Sequence, residues 1–121
     1  MLKPINNGLF IILKGQPIPK PRMTKKSWFN NSYWDYFNSS VESLKYEYKP
    51  RKLKGDVVCE IKFYRKGKKR ADLDNLLKTQ FEILQKAGII ENDNQIISAS
   101  AEIIYKSLEP KTEIEIRNKY L

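Results

Sequence analysis

The apolar residues of this chain switch between helical and strand spacing, and that alternation limits the fold more than any other feature. Trp34, Phe37, Val41, Leu44 and Tyr48 step by three or four residues, which is a helical stripe. Ser32 caps its start and Pro50 forbids its continuation, so the spacing predicts a helix over 33–48. Val57, Cys59, Ile61 and Phe63 then alternate with Val58, Glu60, Lys62 and Tyr64, the period of a strand. Helical spacing returns at 73–87 through Leu73, Leu76, Leu77, Phe81, Leu84 and Ala87, with Gly88 as the C-terminal stop. Residues 95–105 are β-branched and alternate again, through Ile97, Ala99, Ala101, Ile103 and Tyr105. Glu109-Pro110-Lys111 is a turn, and Thr112–Arg117 is a further strand with Ile114 and Ile116 on one face. Near the start, residues 9–14 form a short buried strand. The prolines of Gln16-Pro17-Ile18-Pro19-Lys20-Pro21-Arg22 force an extended surface segment after it.

The order β-α-β-α-β-β implies an α/β (α+β) fold, a mixed sheet of about four strands with two main helices packed on it. At 121 residues a single domain over 1–121 is expected. Tyr33, Trp34, Phe37 and Leu44 are expected in the core, and Cys59 as packing on a buried strand face.

Charge narrows the partners. The formal net charge is +9 with pI ≈ 9.6, and it is clustered. Lys14, Lys20, Arg22, Lys25 and Lys26 form one acid-free stretch. Lys45, Lys49, Arg51, Lys52 and Lys54 form a second, interrupted by Glu47. Lys62, Arg65, Lys66, Lys68, Lys69 and Arg70 form a third. Such clusters favour nucleic acid as the partner. No segment joins a basic face to a long apolar one, so a membrane is not expected. Gly8–Leu13 is too short for an export signal or a span. One cysteine and no histidine exclude a disulfide framework, a cysteine zinc site and imidazole chemistry, and a cytoplasmic protein is the simplest reading.

Inside this positive field lie three aspartates. Asp72 and Asp74 occur in Ala71-Asp72-Leu73-Asp74-Asn75, Asp93 in Glu91-Asn92-Asp93-Asn94-Gln95, and Lys78 stands four residues after Asp74. An Asp-x-Asp pair at a helix start satisfies free N–H groups and the helix dipole without any catalytic role. Carboxylates beside lysines are also what a Mg²⁺-dependent nuclease needs, acidic oxygens for the metal and ammonium groups for phosphate. Lys78, one turn from Asp74, projects from the same face.

The run Lys68-Lys69-Arg70-Ala71-Asp72-Leu73-Asp74-Asn75-Leu76-Leu77-Lys78, then Lys86-Ala87-Gly88, then Asp93-Asn94-Gln95, resembles the RusA family of Holliday junction resolvases of bacteria and their prophages. The resemblance is dense over 65–97 and extends to the proline–basic segment Pro19-Lys20-Pro21-Arg22. It implies a homodimeric, Mg²⁺-dependent endonuclease that cuts four-way DNA junctions symmetrically in recombination and repair, with no small-molecule cofactor beyond the metal. Asp72, Asp74 and Asp93 would bind the metal, and Lys78 would sit beside the scissile phosphate. Asn92 stands where an acid can precede the last aspartate, which points to three carboxylates rather than four.

Lys20, Arg22, Lys66, Lys68, Lys69 and Arg70 are the expected DNA contacts. Trp28 and Phe29 are read as core or dimer residues before base-stacking ones. A non-catalytic basic DNA-binding phage or bacterial accessory protein is the alternative function. A Mg²⁺ enzyme acting on nucleotides fits poorly, because small substrates do not need three basic stretches.

Chain length adds a constraint. A helix from Asp74 to Gly88 is about 21 Å long, and the five residues from Gly88 to Asp93 reach at most about 17 Å. Either they run taut back along the helix, or Asp93 of a second subunit completes the site.

Overall fold

The structure, a computed structural model, describes residues 1–22, 31–47 and 52–120. Trp28, Phe29, Lys25, Lys26, Tyr48, Lys49, Pro50 and Arg51 lie outside the described residues. The elements run β1 (Leu2–Ile5), β2 (Gly8–Lys14), α1 (Asn31–Glu47), β3 (Val57–Tyr64), α2 (Leu73–Lys86), a 3₁₀ turn (Asp93–Gln95), β4 (Ile96–Ile104) and β5 (Lys111–Asn118). The strands form one mixed sheet in the order β1-β2-β5-β3-β4. All neighbours are antiparallel except β3 and β4, which are parallel and joined through α2. A parallel pair needs such a crossover, because a tight turn cannot reverse the chain twice.

The expected mixed sheet with two helices is present, with five strands in place of about four. The strand that hydrophobic periodicity does not reveal is β1, four residues containing Pro4, too short to show a period. It pairs with β2 through a turn at Asn6–Asn7, where Asn7 takes φ 64°, a left-handed value asparagine tolerates. The first helix begins at Asn31, so Ser32 lies in its first turn rather than at a cap.

One sheet face is the core. Leu9, Ile11, Leu13, Val57, Cys59, Ile61, Phe63, Ile114 and Ile116 are buried there beneath the helices. Helix α1 lies over β2 and β5, where the Tyr36 hydroxyl and Thr112 Oγ1 are 3.2 Å apart. Helix α2 lies over β3 and β4. Tyr33, Phe37 and Leu44 are buried as expected, whereas Trp34 is only half-buried at the edge of the core and Tyr36 is buried there as well.

A second difference concerns α2. Its buried residues are Leu76, Thr79, Gln80, Ile83 and Leu84, whereas Leu73, Leu77 and Phe81 are half-buried. The Tyr33 hydroxyl on α1 faces Thr79 and senses the charge of Glu82; burial first, and then Glu82, raises its pKa. The Thr79–Glu82 flank therefore meets α1, and the Leu73–Leu77–Phe81 flank faces the free edge of β4.

The other sheet face is open to solvent. It presents Glu60, Glu102, Glu113 and Glu115 among Lys3, Lys14, Lys62, Lys111 and Arg117, by the strand registers.

Candidate active site at the N-terminus of helix α2

The chain leaves β3 through the basic loop and enters α2 at Asp72. Asp72 is the N-cap in extended conformation (φ −79°, ψ 115°), and its Oδ1 accepts from the backbone N–H of Asp74 at 2.9 Å and of Asn75 at 3.4 Å. An N-cap aspartate satisfies orphan donors and places negative charge at the positive end of the helix dipole. Only one of its carboxylate oxygens takes part in these bonds. Asp74 is 73% exposed, and its Oδ2 lies 3.2 Å from Lys78 Nζ. The lysine is thus held beside the two acids by the helix's own geometry.

The preceding residue is also fixed. The Ala71 N–H donates to the Tyr105 hydroxyl at 3.1 Å, and the Arg70 guanidinium lies over the Tyr105 ring, 5.0 Å from its centroid. Tyr105 follows the last residue of β4, so the entrance to α2 is tied to the C-terminal end of that strand. Sequence reasoning missed this role, since an aromatic residue in strand alternation carries no other signal.

The proline segment docks on the same end of the helix. The Lys20 N–H donates to the Asn75 carbonyl at 3.0 Å, and Lys20 Nζ pairs with Glu82. Lys20, Pro21, Arg22, Asn75 and Lys78 line an open groove of about 440 Å³. Of the predicted residues, Asp72 and Lys78 are therefore neighbours of Asp74, and Lys20 and Arg22 share a groove with Lys78. Lys66, Lys68, Lys69 and Arg70 are exposed on the loop that leads into this end.

Asp93 is elsewhere. Its backbone N–H donates to Gln85 Oε1 at 3.0 Å, at the other end of α2. Gln95 builds the turn around it, with Oε1 accepting from the N–H of Glu91 and Asn92 and Nε2 donating to the carbonyls of Leu53 and Gly55. Asn92 and Gln95 form a capping box, a spacing readable in the sequence as Asn-x-x-Gln. Asp93 then enters the N-terminal end of β4, while Asp72 sits at the C-terminal end. The two are separated by about the length of the helix, about 20 Å. Residues 89–93 do not run back along α2, so the taut single-subunit return does not occur. Among the described residues no three acidic, cysteine or histidine side chains are grouped closely enough to hold a metal ion.

An all-oxygen donor set still suits a hard divalent cation. Asp72 and Asp74 are exposed and adjacent, and each keeps at least one carboxylate oxygen outside the bonds to the helix. Cys59, by contrast, is buried, and burial pushes its thiol up to about 12, which removes it from metal or nucleophilic chemistry. No described helix is long and apolar enough to cross a membrane.

The sequence pattern of the family described as Endodeoxyribonuclease RusA matches residues 14–117. A crossover junction endodeoxyribonuclease RusA from Aquifex aeolicus (strain VF5) is 27% identical over 82 residues, which cover 68% of this chain and 57% of that protein. The chain thus aligns with little more than half the length of that relative. With the docked proline segment, α1, β3, the basic loop, α2, β4 and nearly all of β5 inside the matched span, this chain belongs to the RusA endodeoxyribonuclease family.

Proposed function

We propose that this protein is a cytoplasmic, Mg²⁺-dependent endonuclease that cuts four-way DNA junctions as a homodimer in recombination and repair. The observation that carries this reading is the convergence of Asp72, Asp74 and Lys78 on one helix end, beside a groove walled by Lys20 and Arg22. Asp93 of a second subunit supplies the third carboxylate, since in its own chain it lies at the far end of α2.

Each residue has a distinct task. Lys78 pairs with a non-bridging oxygen of the scissile phosphate as a point charge. Lys20 and Arg22 hold the strand to one side of that phosphate, the arginine through its planar fork. Lys66, Lys68, Lys69 and Arg70 hold the backbone on the other side, fixing register without reading sequence. Asp72, Asp74 and Asp93 would hold the metal. Bound there, a hard cation supplies Lewis acidity and neutralises charge on the phosphate. With no histidine in the chain, the carboxylates are the natural groups to orient a water for in-line attack and take its proton.

The experiment is cleavage of an end-labelled four-way junction with and without Mg²⁺, beside duplex and fork controls, using wild type and Asp74→Asn. Wild type should nick opposed strands in Mg²⁺, while Asp74→Asn should bind the junction in EDTA and fail to cut. Binding without cleavage by the wild type in any divalent cation would favour the accessory-protein reading.

A further inference from the structure

Among the described residues a single charged side chain is buried, that of Arg65, at 9% exposure. A buried charge is costly unless an opposite charge and hydrogen bonds compensate it. Arg65 has little of either. No carboxylate of the described residues forms an ion pair with it. Its Nη1 donates to the Lys69 carbonyl at 3.4 Å, a long bond, and its Nε is buried without any partner.

Strand parity explains where this cation lies. Val57, Cys59, Ile61 and Phe63 face the core, and Arg65 continues their alternation just past the end of β3. Its backbone stays paired with the end of β4, donating to the Ile104 carbonyl at 2.9 Å and accepting from the Ser107 N–H at 2.9 Å. The side chain therefore extends on the helix side of the sheet, beneath the basic loop. Lys69, whose carbonyl it reaches, stands three residues before Asp72.

The ordinary role of such an arginine is to staple a loop, but this loop is fastened without it. The Lys106 N–H donates to the Gly67 carbonyl at 2.8 Å, the Lys66 N–H to Gln16 Oε1 at 2.9 Å, and the Ala71 N–H to the Tyr105 hydroxyl at 3.1 Å. None of these bonds uses the guanidinium. With Nη1 taken, its free edge is the one formed by Nη2 and Nε, whose parallel N–H groups match two oxygens of a phosphate. Around it Lys66, Lys68, Lys69 and Arg70 are all exposed. Exposed cations clustered over a buried one attract a polyanion more strongly than a lone carboxylate.

We infer that Arg65 is an inner phosphate anchor, whose Nη2–Nε edge receives one backbone phosphate of the DNA that Lys66, Lys68, Lys69 and Arg70 hold from outside. The inference rests on the DNA-binding part of the proposed function and adds to it a residue that counting charges treats as surface. In the free protein the guanidinium lacks a counter-ion, and DNA supplies it. Two consequences have opposite signs: removing the charge should relieve the free protein and weaken the complex. A pair formed away from bulk water is also screened less than one on the surface. This contact should therefore outlast those of the outer lysines as salt rises.

Arg65→Met, similar in length and uncharged, tests both consequences, with Lys68→Met as an exposed control. In sodium chloride with EDTA, Arg65→Met should melt no lower than wild type. A lower melting temperature, or a variant that does not fold, reveals a staple and overturns the inference. Replacing chloride with inorganic phosphate at equal ionic strength should stabilise wild type and Lys68→Met but not Arg65→Met. Equal stabilisation of all three overturns it. Affinity for a plain duplex in EDTA should fall roughly tenfold or more in Arg65→Met, and the deficit should persist at salt concentrations that erase the effect of Lys68→Met. Unchanged affinity overturns it. In isotope-labelled wild type, the Arg65 Nε–H NMR signal should shift on saturation with the same duplex, and a fixed signal overturns the inference without any substitution. Junction cleavage by wild type is scored separately: phosphate anchoring without cleavage upholds Arg65 and sinks the nuclease, while cleavage with unchanged duplex affinity in Arg65→Met does the reverse.

Discussion

Asp72 is asked to do two things, and the substitutions Asp72→Ala and Asp72→Asn pull them apart. Its Oδ1 caps α2 through the N–H groups of Asp74 and Asn75, at 2.9 and 3.4 Å. Alanine removes that acceptor, and losing an N-cap costs about 1 kcal/mol. In a domain of this size that corresponds to a melting temperature lower by about 4 °C. Asparagine keeps the acceptor and caps as well as aspartate, so only the interaction of the negative charge with the helix dipole is lost. At an exposed position that is about 0.3 kcal/mol, a shift of about 1 or 2 °C. The effect on cutting should not follow this order. Both variants lose a charged oxygen ligand, which is worth several kcal/mol at the transition state, so both should cut roughly 10²–10³-fold more slowly. Calorimetry on the metal-free proteins and single-turnover cleavage of a junction provide the two readings. An Asp72→Asn protein that cuts within about threefold of wild type would show that this carboxylate is a cap and nothing more.

Further predictions concern other parts of the molecule. Mixing the inactive variants Asp74→Asn and Asp93→Asn should restore single-strand nicking, because one site of the heterodimer carries both lesions and the other is native; no nicking despite demonstrated subunit exchange would assign each site to one chain. Replacing Lys68, Lys69 and Arg70 by glutamine should weaken binding alike across DNA sequences and reduce the slope of log affinity against log salt by about 0.9 for each phosphate no longer neutralised. An unchanged slope would leave these residues to solvent. The Cys59 thiol gives a pH dependence: burial raises it from 9.0 to about 12, so between those values the unfolded chain ionises while the folded one stays protonated. Stability should fall across that window by about 1.4 kcal/mol per pH unit from this group, and Cys59→Ala should flatten the fall in denaturant titrations.

Much of this architecture is written in the hydrophobic periods. Val57–Tyr64 and Lys111–Asn118 bury alternate residues, as strands with one covered face must. Helix α2 shows where such reading stops. Its stripe through Leu73, Leu77 and Phe81 is a sum over everything the helix touches, and a pattern cannot say which part meets the core and which meets something else. Thr79 and Gln80, both 1% exposed, look like surface residues in the sequence because their burial depends on the neighbouring helix. At the site, Asp72, Asp74 and Lys78 were legible because local helix geometry alone places them together. The distance to Asp93 was bounded by chain reach but not decided, because the path of residues 89–93 depends on Gln85, Gln95 and the carbonyls of Leu53 and Gly55. The docking of Lys20 on Asn75 left no trace at all, since it is made by backbone groups that every residue carries.

The open face of the sheet bears on how the protein meets its substrate. Its four glutamates nearly cancel its five cations, giving +1, whereas the described residues together carry 19 cations and 14 acids, net +5, so +4 of that belongs to the described helices and loops beyond that face. The molecule is therefore electrically lopsided, and a phosphate backbone exerts a torque on it as well as an attraction. Encounters from the sheet side are weakly held and turn over, while those from the helix side are captured. Such a body has one adhesive side, and at concentrations where cations spread evenly over a surface would cross-bridge separate duplexes, this one should coat DNA without gathering it.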